Sequence, residues 1–117
     1  MRHTLAYISI ISVLAPTFAN AVDPAPNCRE PSPIRGNFNP AKPVIGILIK
    51  DSVVDPEASV RRIVKVYHLK LDEAAIRDII GNRFFSNYFA YENPTPELVS
   101  ALRCDSDVSA IYYDGIL

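Results

Sequence analysis

Val44-Ile45-Gly46-Ile47-Leu48-Ile49, bounded by Pro43 before it and Lys50-Asp51 after it, decides the fold. The run is apolar, short and mostly β-branched, which fits a central strand and is too brief for a buried helix. Directly downstream, Asp55-Pro56-Glu57 is a helix start. Asp55 caps free backbone N–H groups, Pro56 suits the first helical position, and Glu57 sits at the positive end of the helix dipole. Val60, Ile63, Val64 and Tyr67 then recur at helical spacing and make one apolar face. Arg61, Arg62 and Lys65 fall elsewhere on that helix and read as a solvated face.

The next segment reads two ways. Leu71, Ala75 and Ile79 fit a helix, and its Ala and Glu residues favour one. Ile76-Arg77-Asp78-Ile79-Ile80 reads equally as a strand, with turn chemistry following at Gly81-Asn82. Phe84 to Tyr91 is aromatic-rich and favours a strand. Thr95-Pro96-Glu97 repeats the earlier helix start, with Leu98, Ala101 and Leu102 as its apolar face, and Asp105-Ser106-Asp107 punctuates as a turn. Val108 to Tyr113 reads as a last strand. With a strand at 76–80, the order is strand, helix, strand, strand, helix, strand. That is an α+β fold of the ferredoxin-like split βαβ type (βαββαβ), an antiparallel four-stranded sheet with two helices on one face.

Upstream, residues 22–43 carry Pro24, Pro26, Pro31, Pro33, Pro40 and Pro43 and read as an extended arm. Residues 1–21 have the order of a secretory signal peptide: Arg2, an apolar stretch from Leu5 to Leu14, and small residues at Ala19-Asn20-Ala21 before a cut. That apolar stretch is too short to span a bilayer and is followed by Pro16. The expected organisation is therefore a signal peptide at 1–21, a proline-rich arm at 22–43 and one small domain at 44–117, secreted or periplasmic. Export places Cys28 and Cys104 in an oxidising compartment, which favours a disulfide between them over two free thiols. In the chain-entropy model such a bridge stabilises by about 4 kcal/mol.

The charge balance is nearly even, with 12 basic and 13 acidic residues and no basic stripe, which argues against a nucleic-acid partner. No second apolar run suits a membrane. His68 is the one histidine outside the signal segment and lies near a helix end, a surface position. No serine sits in a nucleophile elbow, the four glycines form no phosphate loop, and one histidine with two distant cysteines does not make a zinc site. The expectation is a non-enzyme with no cofactor, no metal and no catalytic residue.

Three stretches together resemble the subtilisin-propeptide-like protease inhibitor family, which includes the propeptides of subtilases and free-standing inhibitors. Val44 to Asp51 is similar to that family's first strand, and Asp55-Pro56-Glu57-Ala58 to its first helix start. Phe89-Ala90-Tyr91-Glu92, Thr95-Pro96-Glu97 and Ala101 to Val108 are similar to its third strand, second helix and entry to the last strand, in order and spacing. The resemblance covers about residues 43–115 and implies a strand for the ambiguous segment. It departs at Asn87-Tyr88, where a small residue and Gly are usual, and at Tyr112, where a Glu is usual.

The resemblance implies a secreted inhibitor of a subtilisin-like serine protease, monomeric when free. Its exposed sheet face would meet the protease, and its tail would lie extended in the active-site cleft. That tail is Tyr112, Tyr113, Asp114, Gly115, Ile116 and Leu117. Leu117 is the candidate for the primary specificity pocket, Tyr113 or Asp114 for a distal subsite, and Gly115 for close backbone approach. A frayed terminus is the alternative for Ile116-Leu117. On the sheet face, Phe85 and Phe89 are candidate contacts. They belong to the set Phe85, Asn87, Phe89, which alternates with Phe84, Ser86, Tyr88; one set must face the helices, and the other meets a partner or is covered by the proline-rich arm. An in-trans folding chaperone of a subtilase, and a binding module with no protease partner, stand as alternatives.

Overall fold

A computed structural model describes residues 28–81 and 87–115. The expected signal peptide, the first residues of the arm, Phe84, Phe85, Ile116 and Leu117 lie outside the described residues. The elements are β1 (Ile34–Arg35), β2 (Val44–Ile49), α1 (Pro56–Val66), α2 (Glu73–Ile80), β3 (Tyr88–Glu92), α3 (Pro96–Leu102) and β4 (Val108–Tyr112). The protein is α+β, and its described residues form three helices and one four-stranded sheet in the order β1-β4-β2-β3.

β2 is central, as its apolar run implies. It pairs antiparallel with β3 on one side and with β4 on the other. Ile45, Ile47 and Ile49 share one face at the period of two and are fully buried. They meet Val60 and Ile63 of α1, Val99 and Leu102 of α3, and Ile111 of β4 in a single core. Both helix starts work as the sequence implies. The Asp55 side chain accepts from the Ala58 N–H at 3.1 Å and that of Thr95 from the Leu98 N–H at 3.1 Å, each followed by proline in the first turn.

The sheet departs from expectation at both ends. It is mixed rather than purely antiparallel, because β1, from the proline-rich stretch, runs parallel to β4. Prolines suit this edge, since they offer carbonyls and need no donor partner. The Pro33 carbonyl accepts from the Ile111 N–H at 3.0 Å and that of Arg35 from the Tyr113 N–H at 2.8 Å. Ser32 adds a backbone bond to the Arg103 carbonyl at 2.7 Å and a hydroxyl bond to the Val108 carbonyl at 2.6 Å. Cys28 and Cys104 are joined by a disulfide, which anchors the start of this segment.

At the other end, the strand expected over 76–80 is part of helix α2. Local chemistry explains it. Asp72 caps the helix by accepting from the Ala75 N–H at 2.8 Å. Glu73 occupies the first turn and pairs with Arg77 one turn on, and Ala74-Ala75 favour helix. Arg61 of α1 also reaches Glu73 with two bonds of 3.0 Å, so the helix is held against α1 as well as capped.

One polar knot ties α1 to the turn before β4. The Arg62 guanidinium forks onto Asp105, with bonds of 2.9 and 2.6 Å, and reaches Asp107 at 2.9 Å. The Tyr67 hydroxyl donates to Asp105 at 2.6 Å, the Asp107 N–H donates to it at 2.9 Å, and Ser59 donates to Asp107 at 2.9 Å. The Asp105 side chain is only 3% exposed. Burial pushes its carboxyl up, but the Arg62 fork, the Tyr67 hydroxyl and the Asp107 amide outweigh burial and hold it below the ordinary value of 3.8. Burial and the same carboxylate push the Tyr67 phenol up to about 12.

Replacing Asp105 with Asn leaves Arg62 and Tyr67 short of an acceptor. Breaking a buried pair costs about 3–5 kcal/mol, and the 39% exposed Arg62 side chain can regain water, so about 2–4 kcal/mol is expected at pH 7. Because the folded Asp105 carboxyl is depressed, its contribution is present above pH 3.8 and is lost as pH falls through the folded value. Urea unfolding of wild type and Asp105→Asn at pH 7 and pH 3 should therefore give curves that converge in acid. A constant gap at both pH values would contradict this account.

Candidate functional site: the helix-free face of the sheet

Alternation along the strands separates two faces. Phe89 and Tyr91 of β3 and Ile111 of β4 join the core beneath α1 and α3. The opposite face, helix-free among the described residues, carries Val44, Gly46 and Leu48 of β2, Tyr88, Ala90 and Glu92 of β3, and Ala110 and Tyr112 of β4. That grouping follows from the register Leu48–Tyr88, Gly46–Ala90, Gly46–Tyr112 and Leu48–Ala110. None of these residues belongs to the core beneath the helices.

The face is built around a glycine. Tyr88 lies over Gly46, and a Cβ at that position would run into the Tyr88 ring and hydroxyl. The Tyr88 ring also meets Tyr112 edge to face, with centroids 6.0 Å apart. The result is an aromatic pair laid across the middle of the sheet, flanked by half-buried Val44 and Leu48. The Tyr88 hydroxyl is enclosed and has no hydrogen-bond partner. Burial, then the charge of Asp114, then Tyr112 push its phenol up to about 12.

The sequence-derived contact residues separate on this frame. Tyr112 is on the helix-free face and half-buried. Phe89 is not on it: at 3% exposure it is a core residue, because the register turns it toward the helices. Tyr113, at 1% exposure, is also in the core, and its ring meets Phe38 edge to face at 5.7 Å. Asp114 is exposed and lies beside Gly36, where its carboxylate leaves little room for a side chain. Gly115 has a φ of +70° and donates its N–H to the Tyr112 carbonyl at 3.1 Å. The chain therefore turns after Tyr112 and does not continue extended through Tyr113 and Asp114. Gly115 serves this turn, with Val44 packed close against it.

Two contributors escaped the sequence reading. Tyr88 as a face residue was one of two open parities, and the signal for it was Gly46, a glycine inside an otherwise bulky strand, which marks close approach. Arg62 looked like surface charge, and nothing in its spacing points to Asp105, 43 residues away. The chain matches no family model, no curated protein and no solved structure.

The helix-free face and the Asp105 knot respond differently to substitution. Tyr88→Phe removes a hydroxyl without a partner, so stability should hold or rise slightly, whereas Tyr67→Phe removes a bond to a charged acceptor and should cost about 1.5–3 kcal/mol. Gly46→Val should cost about 1–3 kcal/mol by overpacking, more than the roughly 0.5–1 kcal/mol that replacing a strand glycine usually returns. Thermal unfolding of the three variants checks the order, and a Gly46→Val protein as stable as wild type would show that Tyr88 moves aside freely.

Proposed function

We propose that this is an extracellular, non-catalytic inhibitor of a subtilisin-like serine protease, docking through the helix-free face of its sheet. The observation that carries the reading is that face, with Tyr88 and Tyr112 paired over Gly46 and Val44 and Leu48 beside them. A contiguous, partly apolar surface of this kind is what a partner can cover. The resemblance of residues 43–115 to the subtilisin-propeptide-like family points the same way. The strands and helices 44–49, 56–66, 88–92, 96–102 and 108–112 follow the split βαβ order without its second strand, and β4-β2-β3 have the neighbours and directions that a ferredoxin-like sheet requires. The disulfide fits an oxidising, exported location.

In this reading the protease sits against Tyr112, Leu48 and Val44, and the segment beyond Gly115 enters the cleft as a strand. The turn closed by Gly115 and the burial of Tyr113 take Tyr113 out of an extended tail, and in this reading Ile116 and Leu117 carry cleft contacts. That same turn favours a second reading, a secreted binding module that uses the face and leaves the protease active.

Residues 22–117, which include every described element, are mixed with a subtilisin and peptide hydrolysis is followed across inhibitor concentrations. The expected result is dose-dependent competitive inhibition. It should weaken at least tenfold when Leu48 is replaced with Arg on the docking face, and again when Ile116 and Leu117 are removed. Binding without inhibition would select the module reading. Absence of both binding and inhibition, across the proteases secreted by the source organism, would overturn the proposal.

A further inference from the structure

The second edge of the sheet points to a separate binding site. The β2–β3 ladder is bracketed by bonds from the Ile49 N–H to the Asn87 carbonyl, 2.7 Å, and from the Asn93 N–H to the Pro43 carbonyl, 2.9 Å. With the register Ile47–Phe89 and Ile45–Tyr91 between them, residues 87, 89, 91 and 93 spend their backbone groups on β2. The N–H and C=O groups of Tyr88, Ala90 and Glu92 therefore point away from the sheet, and no described strand pairs with them. The segment expected as a strand at 76–80 is part of helix α2 instead.

Sheet edges are usually blunted by lysine, proline or a bulge. Here the middle outward position is Ala90, small and exposed, and the sheet's one irregularity lies between β2 and β4. Beside the edge runs a groove of about 640 Å³, lined by Val44, Ala90 and Glu92 and by His68, Lys70, Leu71 and Leu98. The segment at Lys70 is tied to β3, because the Lys70 N–H donates to the Tyr91 hydroxyl at 3.0 Å. Lys70 itself is exposed, and among the described residues its ammonium has no ion-pair partner.

We propose that this edge and groove bind an extended segment of a partner polypeptide, carrying one carboxylate, as an added strand against β3. Donors and acceptors that alternate every second residue are matched only by another extended backbone. Alternate side chains of that segment lie over Leu71 and Leu98. A carboxylate of the segment faces Lys70, and the Glu92 carboxylate keeps acidic residues from the other end. The site borders the helix-free face at Val44, Ala90 and Glu92 but uses the backbone edge of β3, and it does not rest on protease inhibition.

Residues 22–117 are applied to an array of random nonapeptides, and the peptides that bind are titrated by fluorescence anisotropy. Selected peptides should be enriched in Asp or Glu at one position. Ala90→Pro removes an outward N–H without touching the β2 ladder and should weaken binding at least tenfold, while Ala90→Ser, which keeps the N–H, should not. Lys70→Glu should reverse the charge preference. Should Ala90→Pro fold poorly by circular dichroism, the wild-type protein decides: peptide addition should shift the Ala90 and Glu92 amide resonances and slow their exchange. Peptides that bind without affecting those two amides would overturn the proposal, as would binding unchanged by Ala90→Pro in a folded variant, or no peptide bound at millimolar concentration. Concentration-dependent dimers abolished by Ala90→Pro would also overturn it, since a second copy would then hold the edge.

Discussion

The Asp105 carboxylate is where the tertiary structure is fastened. It receives both arms of Arg62 from α1, the hydroxyl of Tyr67 from the cap of that helix, and the backbone N–H of Asp107 from its own turn. α1 packs on the sheet through Val60 and Ile63, contacts that are apolar and tolerant of sliding. A forked guanidinium–carboxylate pair is not tolerant, since its two bonds require one orientation. The knot thus fixes how α1 lies relative to the turn entering β4, and β4 in turn carries β1 on its outer side and β2 on its inner side. Cys104, the residue before Asp105, extends the same anchorage to the proline-rich segment through the disulfide.

Signals confined to a few neighbouring residues were legible in the sequence. The apolar run of β2, and the Asp55-Pro56-Glu57 and Thr95-Pro96-Glu97 starts of α1 and α3, depend on chemistry within one turn, and each element forms where it was expected. At residues 73–80 the local signal favoured helix, and the resemblance to a family favoured a strand. The local chemistry prevailed because Asp72, Glu73 and Arg77 satisfy and charge-match the helix on their own terms, and Arg61 adds a tertiary hold. What sequence could not supply was pairing at long range. That the proline-rich segment would run parallel to β4, or that Arg62 would find Asp105, depends on the assembled sheet.

The candidate face shows the same division. Its composition was visible in the strands, but which parity of the aromatic stretch would face outward was not. A period of two fixes alternation and leaves its phase open. The phase is set by pairing with β2, which buries Phe89 opposite Ile47 and leaves Tyr88 over Gly46. Glycine resolves the crowding there by having no side chain. The tail depended on a feature that sequence only hinted at: Gly115 does grant the backbone unusual freedom, but the fold uses it to turn the chain back toward Val44.

The parallel pairing of β1 with β4 bears on the order in which the molecule can assemble. Ile34 lies opposite Ile111, and the disulfide spans 76 residues. Contacts of such sequence separation form late, since the intervening chain must be gathered before they are rewarded. A chain emerging from its N-terminal end can build α1 early, but it has neither β4 nor Asp105 to build against. The proline-rich segment must wait unpaired until nearly all of the described chain has emerged, and only then can the sheet close and the cysteines meet.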